Sequence, residues 1–263
     1  MKKYTKEDFD ALEVLNGVKQ CPSGDYSEIK SFPSYCSFGS KCMFGLDCIF
    51  ERGCVFGRGC SFGRDCIFGY GCCFDREVLF GYGCCFDRRC IFGHNCSFGG
   101  ECRFERECIF GNSCHFEQAS IFGHGCSFSQ ASIFERSCSF GQECSFGHDC
   151  KFVQEGSFGE GCIFGQNCRF GDIYSFGPSC IFGFLCSFGN SCLFAEWCRF
   201  ASKCSFATKC IFVLKSSFGD GCSFARGCSF EGHKVKGDNP YLSIDRAGSV
   251  ERRTYFFDFE EGI

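Results

Sequence analysis

Phe recurs at every sixth position from Phe32 to Phe230 without a miss, so that 34 of the 39 Phe share one register. Two residues before each Phe, from position 36 to position 228, lie 33 slots, and 27 of them hold Cys. One residue after the Phe, Gly is commonest, with Glu, Asp and Ala as substitutes. The repeating unit is Cys-x-Phe-Gly-x-x. In an extended strand, residues two apart share a face and the residue between them takes the other. Cys and Phe therefore point the same way, and that way is inward, because so many exposed Phe would drive aggregation. The intervening position, held by Ser, Ile, Arg, Lys or His, points outward. Gly-x-x is expected to bend the chain toward the next short strand, with Gly taking the unusual turn dihedrals.

Six residues per side suggest three sides and 18 residues per coil, so the 33 hexads make about 11 coils of an all-β solenoid. The stretch Phe50-Glu51-Arg52-Gly53-Cys54-Val55 shows the order: a large apolar residue, a small or acidic one, two variable ones, a small one and one more. This resembles the hexapeptide-repeat left-handed parallel β-helix over about 200 residues, with Phe where that family usually has aliphatics. The resemblance implies a single-stranded left-handed coil; general rules favour right-handed parallel crossovers. A pentapeptide solenoid has a similar small-x-large core, but its period of five does not match. The N-terminal helix, the Cys-Ser-Phe-Gly repeats and the Arg-Thr-Tyr-Phe-Phe segment also look like uncharacterised Cys- and Phe-rich proteins of gut bacteria and phages, which implies a possible phage origin and no mechanism.

The flanks leave the period. Thr5-Lys6-Glu7-Asp8 reads as an N-cap, and Phe9, Leu12 and Leu15 follow at helical spacing, so a helix is expected from about 6 to 15, stopped by Asn16-Gly17. Tyr26 falls in the Phe register, and the coil is expected to begin there in degenerate form. Residues 1–31 are read as an N-terminal cap, 32–233 as the repeat, and 234–263 as a C-terminal cap. In the last segment, 241–245 and 253–259 read as two strands of a hairpin. Such caps would cover the open strand edges of the coil.

The net charge of −4, with both signs mixed, gives no footprint for nucleic acid or an anionic membrane. Thirty Cys in 263 residues suggests a secreted disulfide scaffold. The opening Met1-Lys2-Lys3-Tyr4-Thr5-Lys6 has no apolar signal core, however, and the Cys follow the six-residue period, so a cytoplasmic protein with free core thiols is expected.

Acyl transfer is the best-known activity in the hexapeptide-repeat family, and it uses a catalytic His with loops that leave the coil. Here His94, His124 and His148 lie at corners, His115 is outward, His233 is the last residue of the repeat, and no insertion breaks the register. No catalytic residue and no cofactor are assigned. Stacked thiols could suggest a metal, but Phe walls neither compensate thiolate charge nor admit an ion, and no metal ligand is assigned. Flat ranks of Thr that bind ice on other β-helices are missing, with only Thr208 in the repeat. Acyltransferase-like and thiol metal-binding readings stand as alternatives.

The outward rows point instead to a protein partner or a homo-oligomer. Val55, Cys73, Ile91 and Ile109 align on one side, and Ile49, Ile67, Cys85, Arg103 and Ile121 on another. A second candidate patch is Phe184, Leu185 and Trp197, near Ile173 and Tyr174, where the pattern slips. Cys73, Cys85 and Cys21 are the candidate reactive thiols. The reading is a non-enzymatic β-helical scaffold that binds a protein partner or itself.

Overall fold

The computed structural model describes residues 1–213, 215–219 and 221–230. The chain divides into two compact units, Met1–Gly141 and Gln142–Ile263. Each is a parallel β-solenoid, with short strands centred on the Phe positions and in-register partners 18 residues apart.

In the first unit three ladders run through the outward positions. The first reads Ser37, Val55, Cys73, Ile91, Ile109 and Ser127. The second reads Met43, Ser61, Leu79, Ser97, His115 and Ile133. The third reads Ser31, Ile49, Ile67, Cys85, Arg103, Ile121 and Ser139. The second unit repeats the scheme. Its ladders are Ser145, Ile163, Ile181, Arg199 and Ser217; Lys151, Arg169, Ser187, Ser205 and Ser223; and Ser157, Ser175, Leu193, Ile211 and Ser229.

The interior explains why one residue type fills it. Rings one coil apart stack nearly parallel: Phe92 and Phe110 lie 4.8 Å apart at 3°, and Phe182 and Phe200 lie 4.7 Å apart at 3°. Rings on adjacent sides meet edge to face: Phe92 and Phe98 at 5.1 Å and 82°, Phe182 and Phe188 at 5.0 Å and 86°. The stacking distance matches the natural spacing of β-strands, about 4.8 Å. Three Phe columns thus satisfy the backbone ladder and the quadrupole preference of aromatic rings together.

The Cys fills a corner beside these rings and has a polar duty as well. In the first unit the Cys60 thiol donates to the Gly39 carbonyl at 3.3 Å and that of Cys102 to Gly81 at 3.5 Å. In the second, Cys186 donates to Gly165 at 3.3 Å. The acceptor is each time the carbonyl after a Phe, one coil back. A small apolar group with a weak donor suits that place.

The bend differs from the sequence reading. The left-handed backbone falls on the third residue after Phe, as at Lys41 with φ 58, Asp47 with φ 55 and Lys203 with φ 60. The Gly directly after Phe serves close approach instead. A Cβ on Gly57 would lie 2.8 Å from the Gly39 carbonyl carbon, and one on Gly183 would lie 2.7 Å from that of Gly165. Stacked corners touch backbone to backbone there.

The first unit begins with a cap. Helix α1, Lys6–Asp10, starts at Thr5 with a complete capping box to Asp8. It is shorter than the expected 6–15. Asn16 and Gly17, at φ 50 and 79, form the turn of a hairpin between β1, Val14–Leu15, and β2, Val18–Cys21. Asn-Gly is the strongest two-residue hairpin signal, and here it outweighs the helical spacing of Leu12 and Leu15; Leu15 is exposed. The Lys19 ammonium donates to the Phe9 and Asp10 carbonyls at 3.1 Å, satisfying the helix end. Phe9, fully buried, sits edge-on against Phe32 at 5.3 Å. Tyr26 heads a column, stacked on Phe44 on one side and on Tyr4, 4.7 Å away, on the other. The coil thus begins at Tyr26. The expected C-terminal cap, 234–263, lies outside the described residues.

Candidate interaction surfaces

Alternation leaves one outward side chain per strand, and in-register pairing aligns these into ranks. On the first side of the first unit, Val55, Ile91 and Ile109 are 45–49% exposed, and Ile91 pairs directly with Ile109. On the third side Ile49 and Ile67 are adjacent partners and equally open. The second side carries Met43, Leu79 and Ile133 at its first, third and sixth levels, exposed apolar groups that the sequence reading passed over. Their signal was present in the period but is diluted by Ser61, Ser97 and His115 between them.

Cys73 and Cys85 sit in the first and third ranks, half-buried, and their sulfurs donate to the Gly71 and Gly83 carbonyls at 3.7 Å. Burial pushes both thiols up, away from thiolate reactivity. Cys21 is buried at the start of the coil, where it pairs with Phe38 in the ladder. Deeper in the coil, burial pushes the Cys138 thiol up to about 12.

The histidines do not converge. The Nδ1 of His94 accepts the Asn112 backbone N–H at 2.8 Å, and Asn112 Oδ1 accepts that of Gln130 at 3.2 Å. In the second unit His148 Nδ1 accepts the Gln166 N–H at 2.8 Å; Asp172 likewise accepts from Asn190, which accepts from Thr208 at 3.1 Å. These residues all stand two after a Phe, and each satisfies a corner N–H one coil on. Sequence reading missed this corner ladder; its signal is the recurrence of His, Asn and Asp 18 apart. His115 pairs with Glu135 at 3.1 Å. His124 is half-buried, and His233 lies outside the described residues. Among the described residues, no group of three or more His, Cys, Asp or Glu could hold a metal ion, and no helix is long and apolar enough to cross a membrane.

The patch expected around 173–197 is dispersed. Ile173, Leu185 and Trp197 are each third after a Phe and each exposed, but successive ones are two sides apart, so they occupy three different corners. Tyr174 is buried. It fills a Cys slot beside Gly156, its ladder partner, and its ring lies 5.8 Å from that of Phe158. Phe184 is half-buried under the Lys203 ammonium, 5.4 Å from the ring centroid. Trp197, 47% exposed, lies beneath Lys215 at 4.1 Å and lines an open groove of about 500 Å³ with Ser179, Ile181 and Arg199.

Fold and surface together define a β-solenoid with a regular six-residue Phe and Cys period, like that of hexapeptide-repeat proteins, carrying outward apolar ranks. Comparison with family models, with curated proteins and with solved structures returned no match.

Proposed function

We propose that the chain is a non-enzymatic scaffold whose flat strand faces dock a protein surface through their apolar ranks, a second copy of the chain being the partner in the simplest case. The observation that carries this reading is the unbroken rank Val55, Cys73, Ile91, Ile109, in register on adjacent strands, with Val55, Ile91 and Ile109 open to solvent and Cys73 half-buried among them. Scattered apolar residues are ordinary on a surface; an aligned strip is what a second flat sheet face can cover. The corner bonds of His94 and His148 give these residues a structural duty, which supports a role outside catalysis. The many buried free thiols favour a reducing compartment, and we place the protein in the cytoplasm.

Light scattering coupled to size exclusion tests the reading. The wild-type chain should run as a dimer or larger, and Ile91→Lys combined with Ile109→Lys should shift it to monomer while its thermal unfolding is unchanged. A wild-type monomer at high concentration, with no protein recovered on the immobilised chain that the double variant fails to recover, overturns it.

A further inference from the structure

We propose that the second unit holds a separate docking site at Trp197, one that takes an extended acidic peptide. Such a peptide would set an aromatic or long aliphatic side chain against Trp197 and Ile181 and its carboxylates on Arg199 and Lys215.

Four observations converge on this corner. Trp197 is the only Trp in the chain, and it stands half-exposed at a corner. Its backbone is left-handed, at φ 63, where the same corner one and two coils earlier holds Ser179 and Gly161. That region costs any L residue about 1–2 kcal/mol, and Gly161, two coils earlier, shows that the corner also takes the residue that avoids the cost. The indole lines a groove with Ile181, and Ile181 pairs along its ladder with exposed Ile163, which extends the apolar strip by one coil. Arg199 caps the strip at the next level, and Lys215 lies over the indole. Neither cation has an ion-pair partner among the described residues, whereas Arg58 and Arg89 of the first unit pair with Glu77 and Glu107.

Charge selects the occupant. From 197 to 230 the chain carries Arg199, Lys203, Lys209, Lys215 and Arg226 against the single acid Asp220. The preceding stretch, 142–196, is acidic, with Glu143, Asp149, Glu155, Glu160, Asp172 and Glu196 against Lys151 and Arg169. An acidic ligand is thus drawn to the Trp197 end of this unit. Shape selects an extended chain over a small molecule. Small-molecule sites enclose most of their ligand, while this groove is open along the strand ladder and suits a segment lying on the surface. Glu196, exposed beside Trp197, and Glu160, exposed two coils earlier on the same corner, oppose such a ligand.

The emission of Trp197 reports this site alone, since no other Trp contributes. The full chain is titrated with the acetylated peptide Glu-Phe-Glu-Leu-Asp and with its counterpart Lys-Phe-Lys-Leu-Lys. The acidic peptide should shift the emission saturably, and the basic one should not. Arg199→Glu and Lys215→Glu should each weaken the response about tenfold, Glu196→Gln should strengthen it, and Ser223→Lys on another side should leave it unchanged. Should one charge reversal fail to fold, the other and the wild-type loss of affinity from about 0.05 M to about 0.5 M salt still decide the matter. No saturable shift with the acidic peptide, an equal shift with the basic one, or indifference to salt overturns the proposal. None of these readouts depends on the apolar ranks of the first unit.

Discussion

The two units share an interior and differ in what they show to solvent. In both, three Phe columns stack beside columns of small residues, with the same ring distances and the same thiol-to-carbonyl bonds. Outside, the first unit carries Val, Ile, Leu and Met in ranks, whereas one ladder of the second runs Lys151, Arg169, Ser187, Ser205 and Ser223. An inward position has one solution set by strand spacing and ring size. An outward position is not fixed by strand spacing or ring size, so its residue can answer to a partner.

The largest expected effect is read at Cys138, in the first unit. The thiol of Cys138 is pushed by burial to about 12 from an ordinary value of 9.0. A raised folded-state value means that the native state holds the proton longer than the unfolded chain does. The stabilisation is therefore complete below about pH 9 and is lost as pH rises toward 12, at about 1.4 kcal/mol per pH unit for each such thiol. Far-ultraviolet circular dichroism against pH should show cooperative loss of structure in this window. A chain that stays folded at pH 12 would mean that the thiols are not sealed from water.

Core truncation compares the interiors directly. Phe92→Ala in the first unit and Phe182→Ala in the second should each cost about 3–5 kcal/mol in chemical denaturation. Both rings are 1% exposed and stack at nearly the same distance. A difference larger than the spread between neighbouring Phe within one unit would break the claim of a common interior. The outer faces should respond differently: Ile91→Lys should reduce self-association, and Ser187→Lys should not, as judged by sedimentation velocity.

What could be read from the chain alone follows the same division. The inward positions were legible, because a six-residue period carried by Phe and Cys admits few arrangements. Three local features were not. Gly after Phe looked like a turn glycine, yet its duty at Gly57 and Gly183 is contact with a coil 18 residues away, which only stacking reveals. Asn16-Gly17 followed a helical spacing and still made a hairpin, because Lys19 and Cys21 had ladder partners waiting in the first full coil. Tyr174 was read as part of a patch where the pattern slips; only pairing shows that it lies buried beside Gly156, one coil back. For the candidate surfaces, the sequence placed Ile91 and Ile109 in one rank correctly. Arg199, two residues after Trp197, and Lys215, one 18-residue coil on, were within reach of the same period, but the sequence reading did not join them to the indole; only the structure shows the groove and the cation over the ring.

The Gly156 and Tyr174 pair offers a sharper test within the second unit. Tyr174→Cys restores the period at one slot but removes a buried ring, and should cost about 2–4 kcal/mol. Adding Gly156→Cys refills the space from the neighbouring coil, so the double variant should recover much of that loss. Equal stability of the single and double variants would show that the two residues are not complementary.

The smallest effect lies in the first unit, at Ser132. This Cys slot holds a fully buried Ser whose hydroxyl has no hydrogen-bond partner among the described residues. Ser120, in another slot, donates to the Glu117 carbonyl at 3.5 Å. An unmet buried hydroxyl costs about 1–3 kcal/mol, and a thiol in its place loses less on leaving water. Ser132→Cys should therefore raise stability by about 1 kcal/mol, and Ser120→Cys by less, since Ser120 gives up a bond. Denaturation midpoints of the two variants, measured in reductant, decide the order. A larger gain at Ser120 would mean that the Cys columns are chosen for volume alone, and that the thiol-to-carbonyl bonds of both units contribute little.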